Sequence, residues 1–92
     1  MGCGGKRITF RNNIIQRTVT STHDLQIIGP AHGNIITGNQ FINVNSTNSI
    51  YMDAGGTPTR DNIAGDNICS AAVVDATAGS NVLHDNIVSY TP

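Results

Sequence analysis

One short motif recurs along this chain, and a repeat constrains the fold more than any other feature of a sequence. The motif is Asn, a branched aliphatic residue, an apolar residue, any residue, a small or acidic turn former, Asn, any residue and an apolar residue. Three copies match position for position and a degenerate one precedes them: residues 34–41, 62–69 and 81–88, and residues 8–15. The second Asn stands at positions 13, 39, 67 and 86, so successive copies are 26, 28 and 19 residues apart.

Each period holds three short apolar segments that are typical of strands. In the second copy, residues 34–37 and 41–44 flank a turn at 38–39, and residues 50–53 follow a polar loop at 45–48. Short branched-apolar runs bounded by Gly, Asn and Pro indicate strands, and the low Lys and Glu content argues against helices. Three strands per period that stack on their own copies make a parallel β-helix. A small antiparallel sandwich is the alternative, but its hairpins would not need periods this long.

Stacked coils would bring equivalent side chains within roughly 4.8 Å of each other. Asn tolerates the left-handed turn conformation, and Asn side chains at that spacing can hydrogen-bond as a ladder. The predicted ladder contains the second Asn of each copy: Asn13, Asn39, Asn67 and Asn86. Two apolar columns would face inward: Phe10, Ile36, Ala64 and Leu83, and Ile15, Phe41, Cys69 and Val88.

The pattern N-[IV]-x-x-[GD]-N resembles the repeat of right-handed parallel β-helix proteins of the pectate-lyase-like class. The chain is most similar to a segment of a bacteriophage tailspike or appendage, and the resemblance covers nearly everything from Lys6 onward. It implies an all-β, right-handed parallel β-helix of three to four coils. Because the class also includes polysaccharide lyases, hydrolases and epimerases, the resemblance implies carbohydrate contact without specifying an activity. It further implies that the two variable loops of each coil border the strand where sugars lie.

Composition narrows the possible partners. Charged residues make up 12% of the chain and the net charge is -1, which indicates neither nucleic acid nor an anionic membrane as a partner. No apolar run approaches the roughly 20 residues of a membrane span. We expect no cofactor. Residues 1–5 (Met-Gly-Cys-Gly-Gly) read as a disordered cloning leader or linker, and residues 6–92 as one β-helix domain, a fragment of a longer protein.

The cysteines and histidines do not predict a metal centre. Cys69 falls on an apolar position of the repeat and is predicted to be a buried free thiol, with no CxxC spacing for a disulfide or metal site. His23, His32 and His84 occupy different positions of the repeat. We therefore expect solvated loop histidines and no metal ligands.

The candidate chemistry lies on the third strand of each coil. Aligning the third strands of the second and third coils places Asp53 and Asp75 at one position. Alternation that points Ala72 and Val74 inward turns both carboxylates and Tyr51 outward. Two carboxylates about 5 Å apart would suit acid and base catalysis on a glycoside, and the tyrosine would suit stacking on a sugar ring. Tyr51, Asp53 and Asp75 are therefore also the residues predicted to bind carbohydrate.

A structural interpretation of the acidic residues is equally concrete. An Asp at the end of a strand caps the following turn, and no Lys or Arg aligns beside Asp53 and Asp75 to serve as the base that lyases need. Asp66 and Asp85 each precede a ladder Asn and are predicted to be turn formers, because Gly38 fills the same position.

We therefore expect a structural segment of a viral tailspike-like or appendage-like protein, in a virion or outside the cell. It would contact host-surface carbohydrate without catalysis of its own. The alternative is a polysaccharide lyase, hydrolase or epimerase domain that uses Asp53 and Asp75 as an acid/base pair. Incomplete coils leave strand edges unpaired, and the threefold association that the tailspike resemblance implies would cover part of that surface, so a homotrimer is expected.

Overall fold

The computed structural model describes residues 2–3 and 5–91, which form strands, turns and loops. The strands follow the predicted order of three per coil, with one additional strand at the start. Their bounds are β1 Gly2–Cys3, β2 Thr9–Arg11, β3 Ile14–Gln16, β4 Ser21–Ile27, β5 Ile35–Thr37, β6 Gln40–Ile42, β7 Ser46–Met52, β8 Ile63–Gly65, β9 Ile68–Cys69, β10 Ala72–Asp75 and β11 Val82–His84. Within this described part, no helix is long and apolar enough to cross a membrane.

The strands form three parallel sheets, and each sheet takes one strand from each coil. The first-strand sheet has the order β2-β5-β8-β11, the second-strand sheet β3-β6-β9, and the third-strand sheet β1-β4-β7-β10. A parallel bridge between Ile68 and Ile87 extends the second-strand sheet into the fourth coil. These stacked sheets confirm the predicted parallel β-helix with three short strands per coil.

The corner between the first and second strands is built as predicted. The residue before each ladder Asn has a positive φ: 57° at Asn12, 68° at Gly38, 57° at Asp66 and 55° at Asp85. Asn, Asp and Gly are the residues that adopt this left-handed conformation at least cost. Asp66 and Asp85 are therefore turn formers.

The core is made of inward columns that run through the coils. Phe10, Ile36, Ala64 and Leu83 are in register along the first-strand sheet, and Ile15, Phe41 and Cys69 along the second-strand sheet. Ile36 and Ala64 are buried, whereas Leu83 in the last coil is 37% exposed because no further coil covers it in the described residues. Interior packing therefore depends on each coil having a neighbour on both sides.

The third strands are longer than the sequence predicts. Strands β4 and β7 have seven residues each and begin four residues before the apolar segments, with Ser21 opposite Ser46 and His23 opposite Asn48. Backbone pairing with the adjacent coil extends these polar stretches, and hydrophobic periodicity cannot detect pairing of that kind.

The first residues also take part in the third-strand sheet. Gly2 pairs with Gln26 and Cys3 with Ile27, so β1 extends this sheet by one strand. These two residues fall in the segment 1–5 that the sequence analysis assigned to a disordered leader. Met1 and Gly4, which the same prediction covers, lie outside the described residues. Gly5 is described and belongs to no strand.

The register of β10 differs from the predicted alignment. Ala72 lies opposite Asn48 and Val73 opposite Ile50, so the register shifts by one residue between them. Val73, rather than Ala72 and Val74, therefore packs against the core. Bulges of this kind reverse the inward and outward alternation, which assumes a regular strand.

Candidate functional site

The outer face of the third-strand sheet carries the most distinctive exposed arrangement. Tyr51 projects outward from β7 between the buried Ile50 and Met52, as alternation requires. Its ring stacks on the imidazole of His23 from β4, with centroids 4.1 Å apart and an interplanar angle of 13°. The two rings form a half-buried aromatic platform that spans two coils.

Polar side chains surround this platform. The Asn48 Nδ2 lies 3.1 Å from His23 Nδ1, which orients the imidazole beside the tyrosine. Gln26 is in register with Tyr51 and donates through Nε2 to Asp53 Oδ2 at 3.2 Å. An aromatic surface bordered by amide and carboxylate groups can stack on an apolar sugar face and hydrogen-bond its hydroxyls.

Asp53 also organises the loop that follows β7. Its Oδ1 accepts a hydrogen bond from the Gly55 N–H at 2.9 Å, and its carbonyl oxygen accepts from Thr59 Oγ1 at 2.9 Å. These contacts are those of a turn cap, as the structural interpretation of this residue predicts.

Asp75 has more hydrogen bonds than Asp53. Oδ1 accepts from the Thr77 N–H at 3.0 Å and the Asn81 Nδ2 at 3.0 Å, while Oδ2 accepts from the Gly79 and Asn81 N–H groups, both at 3.3 Å. Partial burial acts to raise the pKa of Asp75, but the hydrogen bonds from Thr77 and Asn81 together outweigh it, so this pKa is lowered. The carboxylate is held ionised as an acceptor for the loop.

The two aspartates do not occupy equivalent positions. Asp75 lies opposite Met52, whereas Asp53 is the next residue after Met52. Asp75 therefore falls on the buried column of Met52 and Ile27 rather than beside Tyr51 on the outer face. The alignment of Asp53 with Asp75 was wrong because of the register shift in β10, and their roles in catalysis or carbohydrate binding stay predictions.

The predicted asparagine ladder, called here the corner ladder, is continuous from Asn13 to Asn86. From the second coil on, each ladder Asn Oδ1 accepts two hydrogen bonds from the Asn of the preceding coil, one from its N–H and one from its Nδ2. These bonds are between 2.9 and 3.2 Å long, for Asn13 to Asn39, Asn39 to Asn67 and Asn67 to Asn86. The Asn67 Nδ2 also donates to the Ile36 carbonyl at 3.1 Å. Both amide hydrogens of this buried side chain therefore have an acceptor.

A second ladder, which the sequence analysis missed, precedes the first strand of each coil. This leading ladder consists of Asn34, Asn62 and Asn81, with the same paired hydrogen bonds at 2.9 to 3.1 Å. The signal was present in the first Asn of the motif. Gly33 and Asp61, which precede two of these asparagines, have the same positive φ (70° and 56°) as the residues before the corner ladder.

A buried polar corner between the second and third strands was also missed. Asp24 is 1% exposed, and its Oδ1 accepts from Asn43 Nδ2 at 3.0 Å and Ser46 Oγ at 2.7 Å. Burial raises the pKa of the neighbouring Cys69 to about 11; a hydrogen bond with Ser49 opposes this rise and the charge of Asp24 adds to it. Cys69 is the predicted buried free thiol, and it is held in its unreactive protonated form.

One group of potential metal ligands lies at the corner of the last two coils. Asp66, His84 and Asp85 each offer one ligand atom, and these atoms lie within 4.8 Å of one another. All three side chains are exposed, and His84 Nδ1 lies 3.3 Å from Asp85 Oδ2. The fold brings these residues together although their spacing in the sequence gives no signal, and nothing else at this corner indicates a metal ion.

The histidines are placed differently from the sequence prediction. His23 lies within β4 and is half-buried against Tyr51, and His84 lies within β11. His23 is the residue of the candidate site that sequence reasoning missed. A histidine on the outward face of a strand could be recognised only once β4 was known to begin at Ser21.

No protein family, no curated protein and no solved structure matches the chain. A proposal about its function therefore depends on the geometry described above.

Proposed function

We propose that this chain is a structural β-helix segment, of the kind found in viral tailspikes and appendages, that contacts polysaccharide without catalysis of its own. The contact surface would be the outer face of the third-strand sheet. The stacked pair of His23 and Tyr51 is the observation that carries this proposal. Its expected setting is a virion or the extracellular space, where such a surface meets host carbohydrate.

The chemistry of this face suits a sugar chain better than a small charged ligand. Gln26, Asn48 and Asp53 line the aromatic platform with hydrogen-bond donors and acceptors, and neither Lys nor Arg extends from β4, β7 or β10. Carbohydrate recognition combines stacking on a ring face with hydrogen bonds to hydroxyls, whereas phosphate and carboxylate ligands call for cations.

The environment of the two aspartates argues against the alternative of an acid/base pair. Asp75 is fully engaged by Thr77 and Asn81, and its lowered pKa favours the ionised state rather than the protonated state that a general acid requires. The carboxylate of Asp53 accepts hydrogen bonds from the Gly55 N–H and from Gln26 Nε2. Both carboxylates act as acceptors that shape loops.

Lateral association into a homotrimer is part of the proposal. Ile35, Ile63 and Val82 form one line along the outer face of the first-strand sheet and are 41%, 38% and 54% exposed. A line of aliphatic side chains on adjacent strands favours contact with another apolar surface. Closed threefold symmetry would cover this line on each chain.

Binding to a panel of soluble capsular and O-antigen polysaccharides tests the carbohydrate contact. We expect Tyr51→Ala to weaken the binding of any polysaccharide that the wild type retains by about tenfold or more, because a stacking ring is worth roughly 1.4 kcal/mol. Affinity electrophoresis measures the change, and an assay for new reducing ends measures cleavage, which should be absent.

Tyr90→Ala is the matched control, because Tyr90 is the other tyrosine of the chain and follows β11, the last described strand. The substitution keeps the hydrogen bond from the backbone N–H of this residue to the Cys69 carbonyl at 3.1 Å. It should leave the affinity unchanged. Equal affinities of the wild type and Tyr51→Ala would remove the aromatic platform from the proposal, and polysaccharide cleavage abolished by Asp53→Asn would favour the enzyme instead.

A further inference from the structure

The two ends of the coil stack differ in a way that makes them complementary. At the C-terminal end, a shallow depression of about 220 Å³ lies open on the surface of the last coil. Its lining combines the ends of apolar columns with polar corner residues: Val73, Leu83, His84, Asp85, Asn86 and Val88. At the opposite end, β2 and β3 are the edge strands of their sheets.

The corner ladder is open at both of these ends. Asn86 accepts two hydrogen bonds from Asn67 and donates one to the Ala64 carbonyl, but its backbone N–H and second amide hydrogen have no acceptor among the described residues. In Asn13, Asn39 and Asn67 the same two groups donate to the Oδ1 of the next coil. Asn13 in turn has an Oδ1 that receives no hydrogen bond within residues 5–91. One end thus offers unused donors, and the other offers an unused acceptor.

The leading ladder is closed at the C-terminal end. Asn81 donates its N–H and Nδ2 to the carboxylate of Asp75, which takes the place of the Asn that a further coil would supply. At the opposite end, the position equivalent to Asn34 is Ile8, whose N–H donates to Asn34 Oδ1 and whose side chain has no acceptor. Within the described residues, the donors of Asn81 are therefore all paired at one end of this ladder, and Ile8 offers no side-chain acceptor at the other.

The strand edges and apolar columns are complementary as well. Leu83 and Val88 end the inward columns at one end of the molecule and are 37% and 47% exposed, and Phe10 and Ile15 begin these columns at the other. The last described pairing, at Ile87, lies on the second-strand sheet, so the next strand in coil order is a third strand. β1 belongs to the third-strand sheet and directly precedes β2, so β1 of a second copy would take that position.

We propose that the C-terminal end of the coil stack binds the N-terminal end of a second copy of this chain. β11 of one copy pairs with β2 of the next, and the Ile87 segment pairs with β3. Leu83 and Val88 pack beneath Phe10 and Ile15 of the second copy, and Asn86 donates to its Asn13 Oδ1. All three sheets and the corner ladder then continue across the interface.

This association has a defined symmetry. The two surfaces are different, so the contact is heterologous and leaves one free end on each side of the pair. Growth is therefore open-ended, unlike a lateral trimer. The largest cross-section of the molecule measures 34 × 22 Å. The area of an end face therefore does not exceed the roughly 800 Å² that each partner contributes to a standard interface. We expect a reversible association that depends on concentration.

Sedimentation velocity and light scattering over a range of concentrations test the proposal, in reducing buffer so that no disulfide links the chains. The mean mass of the wild type should rise steadily above the 9.7 kDa chain mass without levelling at three chains. Leu83→Glu should lower the association constant by about 100-fold or more, because the contact would bury an unpaired carboxylate. Val82→Glu is the matched control, since Val82 neighbours Leu83 on β11 but points to the lateral face. It should remove the lateral association proposed for this face and leave the end-to-end association intact, so the mean mass of Val82→Glu should still rise with concentration.

A mixing experiment separates a blocked end from a misfolded chain. Ile15→Glu blocks the opposite end. In a Val82→Glu background, which removes the lateral contact, each end variant alone should remain monomeric, and a 1:1 mixture of the Ile15→Glu and Leu83→Glu chains should form a dimer and nothing larger. A strand-rich circular dichroism spectrum for each variant verifies folding. A mass that is constant with concentration, a plateau at three chains that Leu83→Glu does not change, or a mixture that stays monomeric would each overturn the proposal.

Discussion

The corner ladder and the leading ladder use one residue type, one turn conformation and one hydrogen-bond pattern, yet they end differently. In the interior of the stack they are equivalent, because Asn62 and Asn67 each accept two hydrogen bonds from the coil before and donate two to the coil after. At the C-terminal end, Asp75 closes the leading ladder, whereas the backbone N–H and the second amide hydrogen of Asn86 in the corner ladder have no acceptor within the described residues.

This difference separates two roles of the same repeat. A ladder residue in the interior stabilises the coil stack, since it satisfies buried backbone groups that would otherwise lack a partner. A ladder residue at an end determines what the end can bind. Where Asp75 supplies the missing acceptor, the end is complete; where no residue does so, the end matches the start of another coil.

The largest expected effect comes from breaking each ladder in the third coil. Asn67→Ala leaves the buried N–H and amide of Asn39 without an acceptor, and Asn62→Ala does the same to Asn34. We expect each substitution to lower the free energy of unfolding by about 2–4 kcal/mol, because two buried donors lose their acceptor. Urea unfolding monitored by circular dichroism measures both.

The exposed Asn45 provides the control for this pair. Its Nδ2 makes one hydrogen bond, to the Thr18 carbonyl at 2.8 Å, on the surface. Asn45→Ala should cost less than about 1 kcal/mol. If Asn62→Ala were as mild as Asn45→Ala while Asn67→Ala was severe, the two ladders would not be equivalent in the interior.

A smaller effect should follow from the charge that closes the leading ladder. The pKa of Asp75 is lowered in the folded state from an ordinary value near 3.8, so the folded protein binds this proton less readily than the unfolded chain does. The stability that Asp75 contributes is present above its ordinary pKa and is lost as the pH falls through the lowered value.

Unfolding measured from about pH 6 to about pH 2 should therefore show a steeper loss of stability in the wild type than in Asp75→Asn. The asparagine keeps an oxygen acceptor for Asn81 but does not titrate. Parallel curves for the two proteins would mean that the Asp75 charge does not stabilise the end of this ladder.

The smallest expected effect comes from lengthening the leading ladder. Ile8 is 44% exposed and already donates its N–H to Asn34 Oδ1. Ile8→Asn adds an amide that can donate to the same oxygen, and we expect the free energy of unfolding to rise by about 0.5 kcal/mol, the lower range for one half-exposed hydrogen bond. Because Asp75 still closes the other end, the mean mass at a given concentration should not change. A loss of stability would show that the aliphatic contacts of Ile8 stabilise the fold more than the added hydrogen bond to Asn34 Oδ1 does.

The repeat made much of this fold predictable. The positions of Asn39 and Asn67 specified the corner and the coil period, and the apolar residues beside them specified the inward columns. The same motif also contained the leading ladder, which the prediction overlooked because one of its four positions is Ile8 rather than Asn.

The candidate site was less predictable than the scaffold. Tyr51 was placed on the outer face by alternation, and the structure agrees, but its stacking partner His23 lies 28 residues earlier in a stretch without apolar periodicity. Asp75 was placed on the wrong face because a register shift is a property of the pairing between β7 and β10. A one-residue shift reverses the two faces of a strand and leaves no mark in its own sequence.

The architecture follows from the amino-acid sequence because each coil repeats the same local requirements, which are left-handed turn formers, inward aliphatic residues and Asn at the corners. Those requirements act within a few residues and are visible one motif at a time. The platform on the outer face, the cap that Asp75 provides and the unmatched ends of the corner ladder arise between coils. They depend on which residues of neighbouring coils lie side by side, and only the register of the pairing between coils determines that.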